Sequence, residues 1–256
     1  VKVIIMSKVI AVHQPNYLPW IGYFYKMFHS DVFVLFDSTQ YSKKSWINRN
    51  RIKTPKGPSW LSVPVMISKG HKQRINEIEV CNQFNWRNKH LKTIQNFYSS
   101  TPFFKYYKDE IENIYGQRYD KLITINLKIV NMIRKWLNID NDLVLSSELN
   151  LHDEDNNNLG ICKNLAGDVY LSGDGSDGYL NEGDFTENDI NITYTSFTSP
   201  SYRQLFGENV DNISIIDMLF NNGADEIISY FKNNPIDFKN SKKRINDDST
   251  RELCNN

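Results

Sequence analysis

The chain has 256 residues and carries 30 basic and 30 acidic side chains, so its formal net charge is zero. That balance excludes a global field gathering nucleic acid or a membrane surface, and no apolar run reaches the roughly 20 residues of a membrane helix. A hydrophobic share of 40% supports a globular core, and a 13% aromatic share leaves rings to line a groove.

Residues 1–6 (VKVIIM) are too short for a secretory h-region, and Met6 reads as a candidate start. Val9-Ile10-Ala11-Val12 is an apolar run without alternation, the pattern of a strand buried on both faces. It stops at His13-Gln14-Pro15-Asn16-Tyr17. Residues 18–29 (LPWIGYFYKMFH) predict a buried helix with Pro19 in its first turn. Pro15 keeps His13 and Gln14 extended. A second strand at 32–36 (VFVLF) stops at Asp37-Ser38-Thr39-Gln40.

A basic loop follows. From Ser38 to Asn76 there is no acid, while Lys43, Lys44, Arg49, Arg51, Lys53, Lys56, Lys69, Lys72 and Arg74 all fall there. Within it, 60–65 (WLSVPV) predicts a third strand, and 75–80 an alternating fourth. Residues 85–98, 103–115 and 119–137 have helical spacing, the last most clearly, with Leu122, Ile125, Ile129, Met132, Ile133 and Trp136 on one face. Strands are expected at 142–146, 168–172 and 190–194, and helices at 158–165 and 214–221. From Lys239 the chain is polar and expected to fray. Alternating strands and helices predict an α/β fold. Its mostly parallel sheet is flanked by helices, with a helical insertion mid-chain. The expected division is an N-terminal α/β half (1–84) holding the site, a helical segment (85–140), a C-terminal α/β half (141–238) and a tail (239–256).

In parallel sheets ligands bind beyond the carboxyl ends of the strands. The clusters after both N-terminal strands are therefore the candidate site. His13 at a strand end before a helix suits phosphate or proton-transfer chemistry, with Gln14, Asn16, Tyr17 and Trp20 beside it. Equally, His13 could cap the helix while Gln14 and Asn16 satisfy turn backbone. Asp37, with Gln40, could bind a magnesium ion, a ribose hydroxyl or a substrate ammonium, or pair with an Arg. Lys43, Lys44, Trp46, Asn48, Arg49, Asn50, Arg51 and Lys53 interleave cations, a ring and amides. That mixture suits a nucleotide diphosphate or single-stranded RNA; a solvated loop is the alternative. Ser172-Gly173-Asp174 opens a Gly-rich loop that allows close phosphate approach or a plain turn. It matches neither GxxxxGK[ST] nor GxGxxG. Cys81, Cys162 and Cys254 are widely spaced without a CxxC pair. That argues against a disulfide framework or structural zinc, no metal is expected, and a reducing cytoplasm is the default.

Several of these segments together resemble the WbqC-like family: HQPNYLPW (13–20), GYF (22–24), DVFV (31–34), WINRNRIK (46–53), LSVPV (61–65), YLSG (170–173), YL (179–180) and SIIDMLFN (214–221) with Gly223. The resemblance spans most of Val9 to Gly223. It implies O-antigen and polysaccharide biosynthesis, and attachment of glycine or another acyl group to the amine of a nucleotide-linked (dTDP) amino-dideoxy sugar. The activated donor would be an aminoacyl-tRNA, an adenylate made with ATP and magnesium, or a thioester. Two departures stand out. SGDGSDGYL lacks the Pro that often follows SG, and Thr198-Ser199-Pro200-Ser201-Tyr202 stands where His-Pro-x-Tyr is common. The opening strand, His loop, helix and second strand also look like nucleotidylyltransferase-like folds, although one of their two histidines is missing. Under the transferase reading, His13 or Asp37 is the base, Gln14 and Asn16 steady an oxyanion, and the basic segment holds the diphosphate. A non-catalytic nucleotide- or RNA-binding module is the alternative.

Overall fold

The computed structural model describes residues 7–68, 72–173 and 180–238. Five parallel strands form the central sheet: β1 (Val9–His13), β2 (Val32–Leu35), β7 (Asp142–Leu145), β8 (Val169–Ser172) and β9 (Asn191–Tyr194). Across the sheet they run β7-β2-β1-β8-β9. In chain order this is third, second, first, fourth, fifth, so the winding direction reverses between β1 and β8. A doubly wound sheet of this kind opens a crevice at that switch point, outside the carboxyl ends of the flanking strands.

The apolar runs of β1 and β2 are long enough to face both ways, and both faces are covered. Val9, Ala11, Phe33, Leu35, Val169 and Leu171 belong to the larger core, with α1 (Ile21–Phe28), α7 (Ile216–Asn222), α8 (Ala224–Asn233) and the mid-chain helices. Ile10, Val12, Val32, Val34 and Tyr170 point oppositely, into a smaller core with α5 (Asn158–Asn164) and α6 (Glu182–Glu187). The mid-chain helices are α2 (Trp86–Tyr98), α3 (Phe104–Gly116) and α4 (Leu122–Trp136). Their buried faces share the larger core with the sheet. Phe220 of α7 packs its ring against Tyr98, Phe104 and Tyr107, and each such fully buried side chain contributes roughly 1.5–3 kcal/mol. Gly223 joins α7 to α8 at φ 85°, where a Cβ would also meet the Phe103 ring at 2.7 Å. Among the described residues no helix is long and apolar enough to cross a membrane.

Several elements differ from expectation. The helix expected from Leu18 begins at Ile21, because Leu18 adopts φ 44° and leaves Pro19 ahead of the first turn. Much of the basic loop is a strand, β3 (Arg49–Thr54), paired antiparallel with β4 (Gly57–Ser62). The alternating cations Arg49, Arg51 and Lys53 hid the buried Asn50 and Ile52 between them. Pro64 lacks a backbone N–H donor, and past it the expected third strand resumes only as β5 (Val65–Met66). The expected fourth strand splits into a 3₁₀ turn (Ile75–Glu77) and β6 (Glu79–Val80). Helices α6 and α8 were not expected. The expected frayed tail from Lys239 lies outside the described residues.

One side chain of α4 controls how these parts meet. Asn126 lies on the buried face beside Ile125 and Ile129, fully removed from solvent. Its amide donates to the carbonyls of Pro15 and Ile47, each at 2.8 Å. One side-chain amide thus bonds both the loop after β1 and the basic segment. Asn126→Ala strands both carbonyls, and each buried acceptor left unmade costs roughly 1–3 kcal/mol. The variant is expected to lose about 2–5 kcal/mol in urea unfolding, while Ala at the exposed Asn131 changes the midpoint little. Near-wild-type stability of Asn126→Ala would show that the clamp is not needed.

Candidate functional site

The switch crevice is flanked by the ends of β1 and β8. His13 ends β1, partly buried, with its ring edge-on to Tyr23 at 4.7 Å. Its Nδ1 lies 3.1 Å from the Gln14 carbonyl. A carbonyl can only accept, so this contact assigns the proton to Nδ1 and leaves Nε2 as the basic nitrogen. Burial pushes the imidazole down to about 4, assisted by the charge of Lys26 and opposed by the Gln14 carbonyl. At neutral pH the ring is therefore uncharged. Ser172 and Gly173 close β8 across the crevice, and Asp174 lies outside the described residues.

Beyond β1 the chain is laced to the basic segment. The Tyr17 amide donates to the Trp46 carbonyl at 3.0 Å, and Asn50 Nδ2 donates to the Leu18 carbonyl at 2.6 Å. Together with Asn126 these bonds place the polar loop and β3 side by side. Asn16 is buried there. Tyr17 is core-facing, its hydroxyl between His90 Nδ1 and Tyr115. Trp20 packs on Phe197 at 5.3 Å and bridges to Ser214. Asn48 donates to the Val63 carbonyl.

The outer face of the β3–β4 hairpin carries rings and cations. Trp46 and Trp60 are 42% and 44% exposed, with centroids 5.2 Å apart. The Arg49 guanidinium stacks on Trp60 at 4.2 Å, and Arg51 lies 5.6 and 5.7 Å from the two rings. Such cation–ring contacts hold the Arg planes in place at little cost. Lys43 and Lys44 are exposed beside them; Gln40 is exposed too, bridging to Arg74. The result is a stacking surface with positive charge.

Two expected members lie elsewhere. Asp37 is 1% exposed and its carboxylate is turned toward the end of β7. It accepts from Ser146 Oγ at 3.0 Å, Ser147 N at 2.9 Å and Ser147 Oγ at 2.7 Å. No hydrogen bond joins it to His13, and the three bonds it accepts tie the end of β2 to the segment after β7. Lys53 is also buried; its Nζ donates to the Glu208 carbonyl and its amide to Tyr98 Oη. It belongs to a buried network around Asp217, which accepts from Tyr98 at 2.6 Å and Tyr202 at 2.9 Å. Burial raises the Asp217 carboxyl, and those hydroxyls oppose the shift.

Four residues were missed at the sequence level: Lys26, Trp60, Asn126 and Asp217. Lys26 had a signal, a lone charge inside an otherwise apolar helix. Asn126 had one too, a polar residue within the apolar stripe of α4. Trp60 falls in the expected third strand, and its exposure beside Arg49 and Arg51 follows from the β3–β4 pairing that the cations obscured.

Residues 14–229 match the WbqC-like protein family. An uncharacterized protein of Mycobacterium tuberculosis, Rv1507c, is 34% identical over 221 residues, covering 85% of this chain and 95% of that protein. No solved structure matches the chain. The chain belongs to the WbqC-like family.

His13 and His90 are both held near 4, each chiefly by burial, against 6.5 when free. Between those values the unfolded chain binds the extra protons, so stability rises with pH. It is fully present above about 6.5 and is lost as pH falls toward 4. His13→Asn is expected to flatten part of that acid limb in urea titrations, with His90 supplying the remainder. An unchanged limb would show that His13 is not buried neutral.

Proposed function

We propose that this WbqC-like protein forms an amide on the amino group of a nucleotide-linked amino-dideoxy sugar, using an activated glycyl or other acyl donor. The observation that carries the reading is the lacing of the His13 loop to the exposed Trp–Arg hairpin. An uncharged base and an anion-binding, ring-stacking surface then belong to one rigid unit. The nucleotide base stacks on Trp46 and Trp60, and Arg49, Arg51, Lys43 and Lys44 neutralise the diphosphate. The sugar amine reaches the crevice.

There the neutral amine attacks the acyl carbonyl. As the new C–N bond forms, the nitrogen becomes cationic and strongly acidic. His13 Nε2 takes the proton from it at that stage. A weak base suffices, because the proton is not drawn from the resting ammonium. The Gln14 amide donates to the developing oxyanion. Collapse of the tetrahedral species expels the donor's leaving group, and the proton on His13 returns to that group or to water. Asp37 acts through position, tying the end of β2, the neighbour of β1, to the segment after β7. A site assembled from three separate segments must be rigid to within fractions of an ångström to give this advantage.

Two measurements test the proposal. Trp46→Ala and Trp60→Ala are each expected to weaken binding of a dTDP-amino sugar about tenfold by calorimetry, within the ~1–3 kcal/mol typical of a base–ring stack. His13→Ala is expected to fold normally and to lose about 100-fold or more in turnover, followed by mass spectrometry of the amide product. Undiminished turnover would remove His13 from the chemistry. Binding that weakens steeply with salt, accompanied by no product with any donor, would instead identify a nucleic-acid-binding module.

A further inference from the structure

We propose that Lys26 anchors an anion pocket inside the switch crevice, and that the group it receives is a phosphoryl group. Lys26 projects from α1 and is 4% exposed, yet no carboxylate pairs with it among the described residues. Its Nζ donates to the Val12 carbonyl at 2.8 Å. The direction of that carbonyl locates the amine. Carbonyls alternate sides along a strand. That of His13 accepts from Phe36, beyond β2, so that of Val12 faces β8. The β1–β8 pairing runs from Val9–Val169 to Ala11–Leu171, placing Nζ at the opening just past the last paired residues. The Tyr170 ring lies 5.8 Å from it.

An ammonium has three donors, and one carbonyl uses one of them. A buried cation without a counter-ion is costly, and a hydrophobic replacement is often neutral or stabilising. Retaining the amine there makes sense if a ligand brings the compensating charge. Among the described residues, the titratable groups facing it are His13 on β1, Cys162 on α5 and Tyr170 on β8. His13 is uncharged at neutral pH, and burial raises both the Cys162 thiol and the Tyr170 phenol. None of them supplies an anion at neutral pH. Burial brings Lys26 itself down to about 7. Binding of a dianion would restore its proton.

Sulfate is the probe, since it mimics a phosphoryl group but does not titrate between pH 6 and 9. Calorimetry at pH 8 in buffers of different ionisation enthalpy is expected to show close to one proton taken up per sulfate bound. The uptake should persist in His13→Asn and vanish in Lys26→Arg, which binds sulfate already charged. Lys26→Met should be at least as stable as wild type and bind sulfate tenfold or more weakly. A readout independent of any variant is the Lys26 Cε resonance of the wild-type protein, whose titration midpoint should move upward with sulfate. Displacement of sulfate by dTDP, sensitive to Trp46→Ala, would assign the phosphoryl group to the sugar nucleotide. Displacement by AMP, insensitive to Trp46→Ala, would assign it to an adenylate donor. Absence of sulfate binding, or binding without proton uptake and unaffected by Lys26→Met, overturns the proposal. The inference does not depend on amide transfer, so loss of the transferase reading would leave these results interpretable.

Discussion

The Asn126 amide is the constraint around which this molecule is arranged. Two carbonyls, from Pro15 and Ile47, converge on it in a fully buried position. Neither segment has a repeating backbone ladder at that point, so their orphan acceptors need a donor from elsewhere. An amide on a long amphipathic helix can provide two donors from one rigid base. The mid-chain helices therefore do more than cover one face of the sheet. With the direct Tyr17–Trp46 and Asn50–Leu18 bonds, they fix the distance between the loop after β1 and the basic hairpin, and so between the crevice and the stacking surface.

Charge follows the same logic. Two buried acids, Asp37 and Asp217, are committed to structure. Asp37 binds the start of the segment after β7, and Asp217 binds two tyrosines beneath the hairpin. Among the described residues, what remains available beside His13 and on the outer face of the hairpin is basic or neutral. A chain with no net charge has thus sorted its charges locally, which favours anionic ligands at this edge without a global field.

Much of the fold was legible because its signals are local. Unalternating apolar runs identified the parallel strands, and the stripe from Leu122 to Ile133 identified α4. The hairpin was not legible, because Arg49, Arg51 and Lys53 suggested a basic, anion-binding loop while Asn50 and Ile52 between them were buried. The ligand edge could be located from strand ends, but the orientation of its side chains could not. Asp37 stands where a catalytic acid would stand, and only the pairing of β2 with β7 reveals which way it points. That β7 lies beside β2 is a long-range outcome with no local trace.

The contrast between Asp37 and Lys26 shows what a buried charge means in this fold. Both are nearly inaccessible, and both lie near the carboxyl edge. Asp37 is met by two hydroxyls and a backbone amide, so its charge is compensated from within the protein. Among the described residues Lys26 is met by one carbonyl and the face of a ring, which leaves its charge largely uncompensated. A group satisfied internally serves the frame; a group left partly unsatisfied at a topological switch point is placed to be satisfied from outside. By that criterion it is the lysine within the apolar helix, and not the acid at the strand end, that marks where a ligand's charge enters the molecule.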